Sequence, residues 1–342
     1  MKKETIALHA AISAAATAVG CKEGEGPLGD LFDLLDTDDR FGRNTWEEAE
    51  SEMQRLAFNT ALAKRGLRDA DVGAIFAGDL LNQCVGSSLG LLSFDIPFVG
   101  LYGACSTAAE SLLLSSLFVT HGVFPVCGAV TSSHYCSAER QFRTPVEYGA
   151  QRSPTAQWTV TGSGAFLVER ARAKERCPVI TRAHIGRAID MGVKDASNMG
   201  AAMAPAACDT LCRFFSQTGE QPSQYDLIVT GDLGFEGREI LGDLMRAEGY
   251  PMGEAYDDCG CLIYDQRRQD VHSGGSGCGC SAVVLAAYLV PRLVSGELRR
   301  ILFVGTGAMM SPDSLKQGKG IAGVAHLLEI LSPLEITKEA EV

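Results

Sequence analysis

A short design that occurs twice constrains this chain more than anything else in it. Val72-Gly73-Ala74-Ile75-Phe76-Ala77-Gly78-Asp79-Leu80 is an apolar run closed by a polar turn, and 153 residues later it returns as Leu227-Ile228-Val229-Thr230-Gly231-Asp232-Leu233. Each copy is followed by a Gly-rich turn that launches an apolar helix, Gly103-Ala104-Cys105 in the first case and Gly277-Cys278-Gly279-Cys280 in the second. Each then offers another buried strand, Val126 to Ser132 and Arg300 to Gly305. Such repetition predicts two similar α/β halves in which strands and helices alternate, as in parallel or mixed sheets. A capping box of Thr45 with Glu48 opens a helix striped by Trp46, Ala49, Met53, Leu56 and Ala57, and Gly66 closes it. The most charged break between strand candidates is Ala171 to Pro178. It places the halves at residues 1–172 and 173–342.

Composition narrows the function classes. A chain of 342 residues with 46% hydrophobic and 21% charged content can bury a large core. Its net charge of −12, with no block of lysine or arginine, argues against a nucleic-acid backbone as partner. The longest apolar runs, such as Ala282 to Val290, stop at Pro291 and read as too short for a bilayer span. The Ala-rich start from Met1-Lys2-Lys3 to Gly20-Cys21 is interrupted by Glu4 and His9 and has Ala18 where a lipoprotein signal usually carries Leu, so it reads as an opening strand and turn. Twelve dispersed cysteines point to a reducing compartment. The pairs Cys259/Cys261 and Cys278/Cys280 are spaced more tightly than usual zinc ligands, and no metal site is expected.

Chemistry concentrates first at Tyr102-Gly103-Ala104-Cys105-Ser106-Thr107-Ala108-Ala109-Glu110. A cysteine on a tight turn at a helix N-terminus meets free N–H groups and the positive end of the macrodipole, which favour a thiolate or a bound anion. The turn therefore suits a nucleophile, an anion pocket or a buried structural thiol. A second concentration lies between two strands of the first half, from Thr131-Ser132-Ser133-His134 through Ser137-Ala138-Glu139-Arg140-Gln141-Phe142-Arg143 to Arg152 and Gln157-Trp158. Three arginines gather there in an otherwise acidic chain, read as one long loop. Guanidinium forks suit carboxylates and planar rings, and such a loop serves a ligand site or a dimer interface.

A duplicated α/β chain with a helix-capping cysteine in its first half resembles the thiolase and ketoacyl-synthase superfamily. That resemblance implies a five-layered α/β/α/β/α fold. Condensing enzymes of this superfamily pair the cysteine with His or Asn. Here the turn after the second-half strand reads Gly231-Asp232-Leu233-Gly234, which offers no such group and sets a negative charge where an enolate would form. His272-Ser273-Gly274-Gly275-Ser276-Gly277 resembles the thiolase His-Pro-x-Gly-x-x-Gly turn without its proline. The second cysteine motif of thiolases has no counterpart at Gly305-Thr306-Gly307-Ala308-Met309-Met310.

Six separated motifs carry a closer resemblance: Lys22-Glu23-Gly24-Glu25-Gly26-Pro27-Leu28, Gly103 to Thr107, Thr131 to His134, Ser137 to Arg143, Pro154 to Gly162 and Asn198 to Ala206. Together they look like the stage V sporulation protein AD family, with the match running from about residue 6 to residue 333. The resemblance implies a thiolase-like, non-catalytic homodimer that binds dipicolinic acid, a planar pyridine dicarboxylate, free or as its calcium chelate. It further implies a peripheral place at the forespore or spore inner membrane, held by the membrane-embedded subunits that move dipicolinate in sporulation and germination, with no cofactor. The ligand set expected is Cys105, Ser132, Ser133, His134, one or more of Arg140, Arg143 and Arg152, then Gln157, Trp158, Asp232 and His272. Two other classes stay open at this point: an acyltransferase or condensing enzyme using Cys105 on a thioester, and a scaffold with an empty relic site. Cys127, Cys208, Cys212 and Cys278 fall outside the recognised motifs.

Overall fold

The structure, a computed structural model, describes residues 4–142, 152–172 and 175–335. Its first strand, β1 (Thr5–Val19), is the expected opening strand. Alanine favours helices. Here burial overrides propensity, because Ala10, Ala11, Ala16 and Ala18 are buried between neighbouring strands and covering helices, where only small side chains fit. The remaining first-half strands are β2 (Ala74–Gly78), β3 (Phe98–Gly100), β4 (Val126–Ser133) and β5 (Gly162–Arg170). Those of the second half are β6 (Val179–His184), β7 (Leu227–Thr230), β8 (Tyr256–Asp258), β9 (Arg300–Met309) and β10 (Ala322–Leu331).

The repeat seen in the sequence reappears as topology. The first half runs β1-β5-β4-β2-β3 and the second β6-β10-β9-β7-β8, and the two join where β1 and β6 pair antiparallel. Pair for pair the senses agree. β2 is parallel to β3 and β4 as β7 is to β8 and β9, while β4–β5–β1 and β9–β10–β6 are antiparallel. The result is the mixed α/β, thiolase-like architecture expected.

Six helices build the layers: α1 (Trp46–Arg65), α2 (Thr107–Thr120), α3 (Tyr135–Phe142), α4 (Met199–Thr218), α5 (Gly234–Ala247) and α6 (Cys278–Ser295). The capping box of Thr45 and Glu48 opens α1, and Gly66 ends it in the left-handed region. Helices α2 and α6 meet each other and strands of both halves, which makes them the central layer. The seating of α6 on β5 needs bare backbone, since a Cβ on Gly279 would lie 2.3 Å from the Gly162 carbonyl oxygen.

Two expectations change. The apolar run does not stop at Pro291: α6 continues to Ser295, because a π-helical turn at Leu285–Leu289 loosens the ladder just where proline lacks a donor. Its 18 residues are long and apolar enough to cross a membrane, yet 67% of them are buried inside the fold, the setting of a core helix. The stretch read as one long loop also contains structure, for α3 follows β4 directly and Trp158–Thr159 pairs in parallel with Gly275–Ser276.

Candidate functional site

The Cys105 turn is built by local hydrogen bonding. Ala104 takes φ of +50°, Ser106 Oγ donates to the Gly103 carbonyl at 2.7 Å and Thr107 Oγ1 to the Ala104 carbonyl at 2.6 Å. The opposite wall is backbone from β9, where a Cβ on Gly307 would stand 2.4 Å from the Gly103 oxygen. The thiol ends up 6% exposed, beside Leu80, Ala138 and Cys278.

Asp232 controls this thiol. Its Oδ2 accepts from the Gly277 N–H at 2.8 Å and its Oδ1 from Thr306 Oγ1 at 2.9 Å, and its charge acts on the Cys105 thiol. Burial raises the Asp232 carboxyl to about 6 despite those donors. Burial first, and the Asp232 charge second, push the Cys105 thiol well above its ordinary value. The expectation of an easily formed thiolate is thereby corrected. A helix N-terminus is worth at most about 2 kcal/mol, and desolvation beside a carboxylate outweighs it.

The other expected residues divide into three groups. Gln157 belongs to the core of the site, since its Nε2 donates to the carbonyls of Asp232 and Gly275, both at 2.7 Å. Ser132, Ser133 and His134 are buried but engaged elsewhere. Ser132 Oγ donates to Glu50 at 2.8 Å, Ser133 Oγ to the Val160 carbonyl at 2.7 Å, and His134 Nε2 lies 2.8 Å from the Asp39 carbonyl. Burial holds the His134 imidazole below its ordinary value.

The arginines do not converge on Cys105. Arg140 is exposed and pairs with Glu47, and Arg143 lies outside the described residues. Arg152 joins Trp158 and His272 in a separate cluster. Its guanidinium carbon stands 4.7 Å from the Trp158 ring centroid and Nη2 pairs with Asp270 at 2.8 Å. His272, at φ +48°, is turned from Cys105, with Nδ1 2.7 Å from the Ser153 carbonyl and Nε2 3.1 Å from Asp270. Tyr135 stacks on the other side chain of the pair, Trp158, with centroids 3.8 Å apart.

Comparison with known proteins places this geometry. The family model for stage V sporulation protein AD matches residues 2–331. The chain is 43% identical over 315 residues to stage V sporulation protein AD of Bacillus subtilis (strain 168), covering 92% of each. The chain belongs to the stage V sporulation protein AD family. Its fold is shared more widely. Xanthomonas campestris OleA superposes with a TM-score of 0.61 at 13% identity, over 96% of this chain and all of that one. The 3-oxoacyl-(acyl carrier protein) synthase III of Xanthomonas oryzae pv. oryzae gives 0.58 at 13%, over 95% and 100%. This family member therefore has the fold of condensing enzymes around a thiol held in its protonated form.

Several residues of the site escaped the sequence reading. Thr306 is the second support of Asp232, from a turn that had registered only as a missing cysteine motif. Lys22 was noticed as part of a motif but not as a cation, and its Nζ sits 3.8 Å from the Trp158 centroid. Asp258 caps the Asp232 turn, accepting from the N–H groups of Leu233 and Gly234 at 2.8 and 2.9 Å, and burial lifts it to about 7. Asp79, the repeat partner of Asp232, does the same for the first half by accepting from Leu81 and Ser87. The duplicated Gly-Asp pair was the available signal.

Proposed function

We propose that the chain binds dipicolinate, free or as its calcium chelate, without performing acyl transfer, and that the ligand carboxylates are held by Lys22 and Arg152 beside Trp158. What carries the reading is a buried guanidinium and a partly buried ammonium on one aromatic platform. Arg152 is 4% exposed in its side chain, and its Nη1 is buried with no hydrogen-bond partner among the described residues. Lys22 has no acidic partner within ion-pair distance among the described residues, and burial first, then the Arg152 charge, push its ammonium below the ordinary value. An unpaired buried guanidinium N–H is costly, and a carboxylate is its natural complement. The buried surroundings of Cys105 carry the opposite charge at Asp232. They suit neither a dianion nor thiolate chemistry.

Family membership supports a role in sporulation, and membrane-embedded partner proteins with peripheral attachment through them are part of the proposal. A homodimer is supported by the outer edge of the first half, where β3 is unpaired on one side and Leu89, Leu92, Phe98, Val99 and Tyr102 are exposed. Calorimetric titration of the full chain with dipicolinate, with and without calcium, tests the ligand and its place. Each of Arg152→Ala and Lys22→Ala should weaken binding by roughly one to two decades, the worth of a charge-assisted hydrogen bond, while Cys105→Ser binds like the parent. Absence of saturable binding by the parent refutes the ligand; unchanged affinity in both cation variants refutes the site.

A further inference from the structure

Outside the region described so far, three sulfur atoms meet between α4 and α5. Cys208 and Cys212 lie one turn apart on α4, so their side chains share a face. Their Sγ atoms are 3.9 Å apart, and Cys212 Sγ is 3.8 Å from Sδ of Met245 on α5. Cys208 and Met245 are buried. Cys212 is half-buried and opens onto a cavity of about 500 Å³ that is also lined by Arg187, Arg213 and Gln217.

We propose that these three residues form a binding site for a soft monovalent cation, copper(I). Two sulfur–sulfur separations fit a three-coordinate shell. Three sulfurs arranged as a flat triangle around an ion, at a metal–sulfur distance near 2.3 Å, stand about 4.0 Å from one another, close to the two separations found here. Thiolate and thioether together select copper(I) over harder ions. Both thiols give up their protons on binding. Two thiolates around one monovalent ion leave one negative charge, beside a cavity in which Arg187 and Arg213 are paired with Glu4, and Arg213 also with Asp209. The cavity gives an ion a route to Cys212 that a sealed core would deny.

The test is an anaerobic titration of the reduced full chain with copper(I) buffered by bicinchoninate, followed by X-ray absorption at the copper edge. The parent should take up one copper more than the Cys208→Ser, Cys212→Ser double variant, with a shell of three sulfurs near 2.3 Å. Met245→Leu keeps the volume of the core and should retain that copper with affinity lower by on the order of tenfold or more. Equal copper uptake by parent and double variant would overturn the proposal. So would unchanged affinity in Met245→Leu, because the sulfur cluster would then be core packing alone.

Discussion

Replacing Asp232 by Asn isolates the group on which the account of Cys105 depends. The amide has the same shape, so its oxygen can accept the Gly277 N–H and its nitrogen can face Thr306 Oγ1, and the two hydrogen bonds persist without charge. Their weakening costs about 1 kcal/mol each at every pH. The pH dependence is what distinguishes the variant. Asp232 holds its proton to about 6 in the fold, against an ordinary 3.8. A carboxyl raised on folding stabilises the fold while protonated, and that contribution fades as pH climbs from below 3.8 through 6. The full swing is about 2 units, or about 3 kcal/mol. Roughly half of it, about 1.4 kcal/mol, is still to be lost between pH 5 and pH 8. Asp258, raised to about 7 by burial and further by Asp232, adds change of the same sign when Asp232 is neutralised. Urea unfolding of the full chain at the two pH values supplies the number. The parent should lose at least about 1.4 kcal/mol more than Asp232→Asn on going to pH 8. Parallel losses would mean that Asp232 is not a desolvated carboxyl and does not hold Cys105 protonated.

Two further perturbations address the frame of the molecule and its assembly. Glu329 is buried and pairs with Arg182 at 2.6 Å and Arg300 at 2.7 Å, so burial, which favours its neutral form, is outweighed and it stays ionised. Glu329→Gln should cost about 3 kcal/mol in urea unfolding at neutral pH, the low end for breaking a buried pair because Glu220 still engages both arginines; a loss near zero would show that Glu220 suffices. Being a lowered carboxyl, Glu329 should withdraw its contribution as pH falls below the ordinary 4.5. Val99→Lys places a charge in the exposed apolar edge and should shift the mass seen by light scattering from dimer to monomer with unchanged unfolding, whereas a dimer that survives it uses another face.

The architecture was legible because it rests on periodic burial. Gly78-Asp79 and Gly231-Asp232 close equivalent strands, and the capping box at Thr45 and glycine at Gly66 fix the ends of α1 where local chemistry alone requires them. Of the expected residues, Gln157 and Asp232 are joined by the bond from Gln157 Nε2 to the Asp232 carbonyl, and the Asp232 charge acts on Cys105. What sequence spacing could not supply was direction. Three arginines within one excursion looked equivalent, yet α3 carries Arg140 outward to Glu47 while Arg152 folds under Trp158. A lysine 136 positions from its tryptophan in the chain gives no local sign that the two touch. Cys105 misled for a related reason: the turn predicts its dipole, but the neighbour that decides its protonation comes from the other half.

We propose that the condensing-enzyme fold here surrounds a thiol that takes no acyl group. The group facing Cys105 from the second half is Asp232, whose charge together with burial keeps the thiol protonated, and Asp232 also takes the Gly277 N–H. Intact-mass measurement of the full chain after incubation with acetyl-coenzyme A asks this directly. The account predicts an unchanged mass. A gain of one acetyl group that maps to Cys105 and disappears in Cys105→Ser would contradict it and make the protein an acyltransferase.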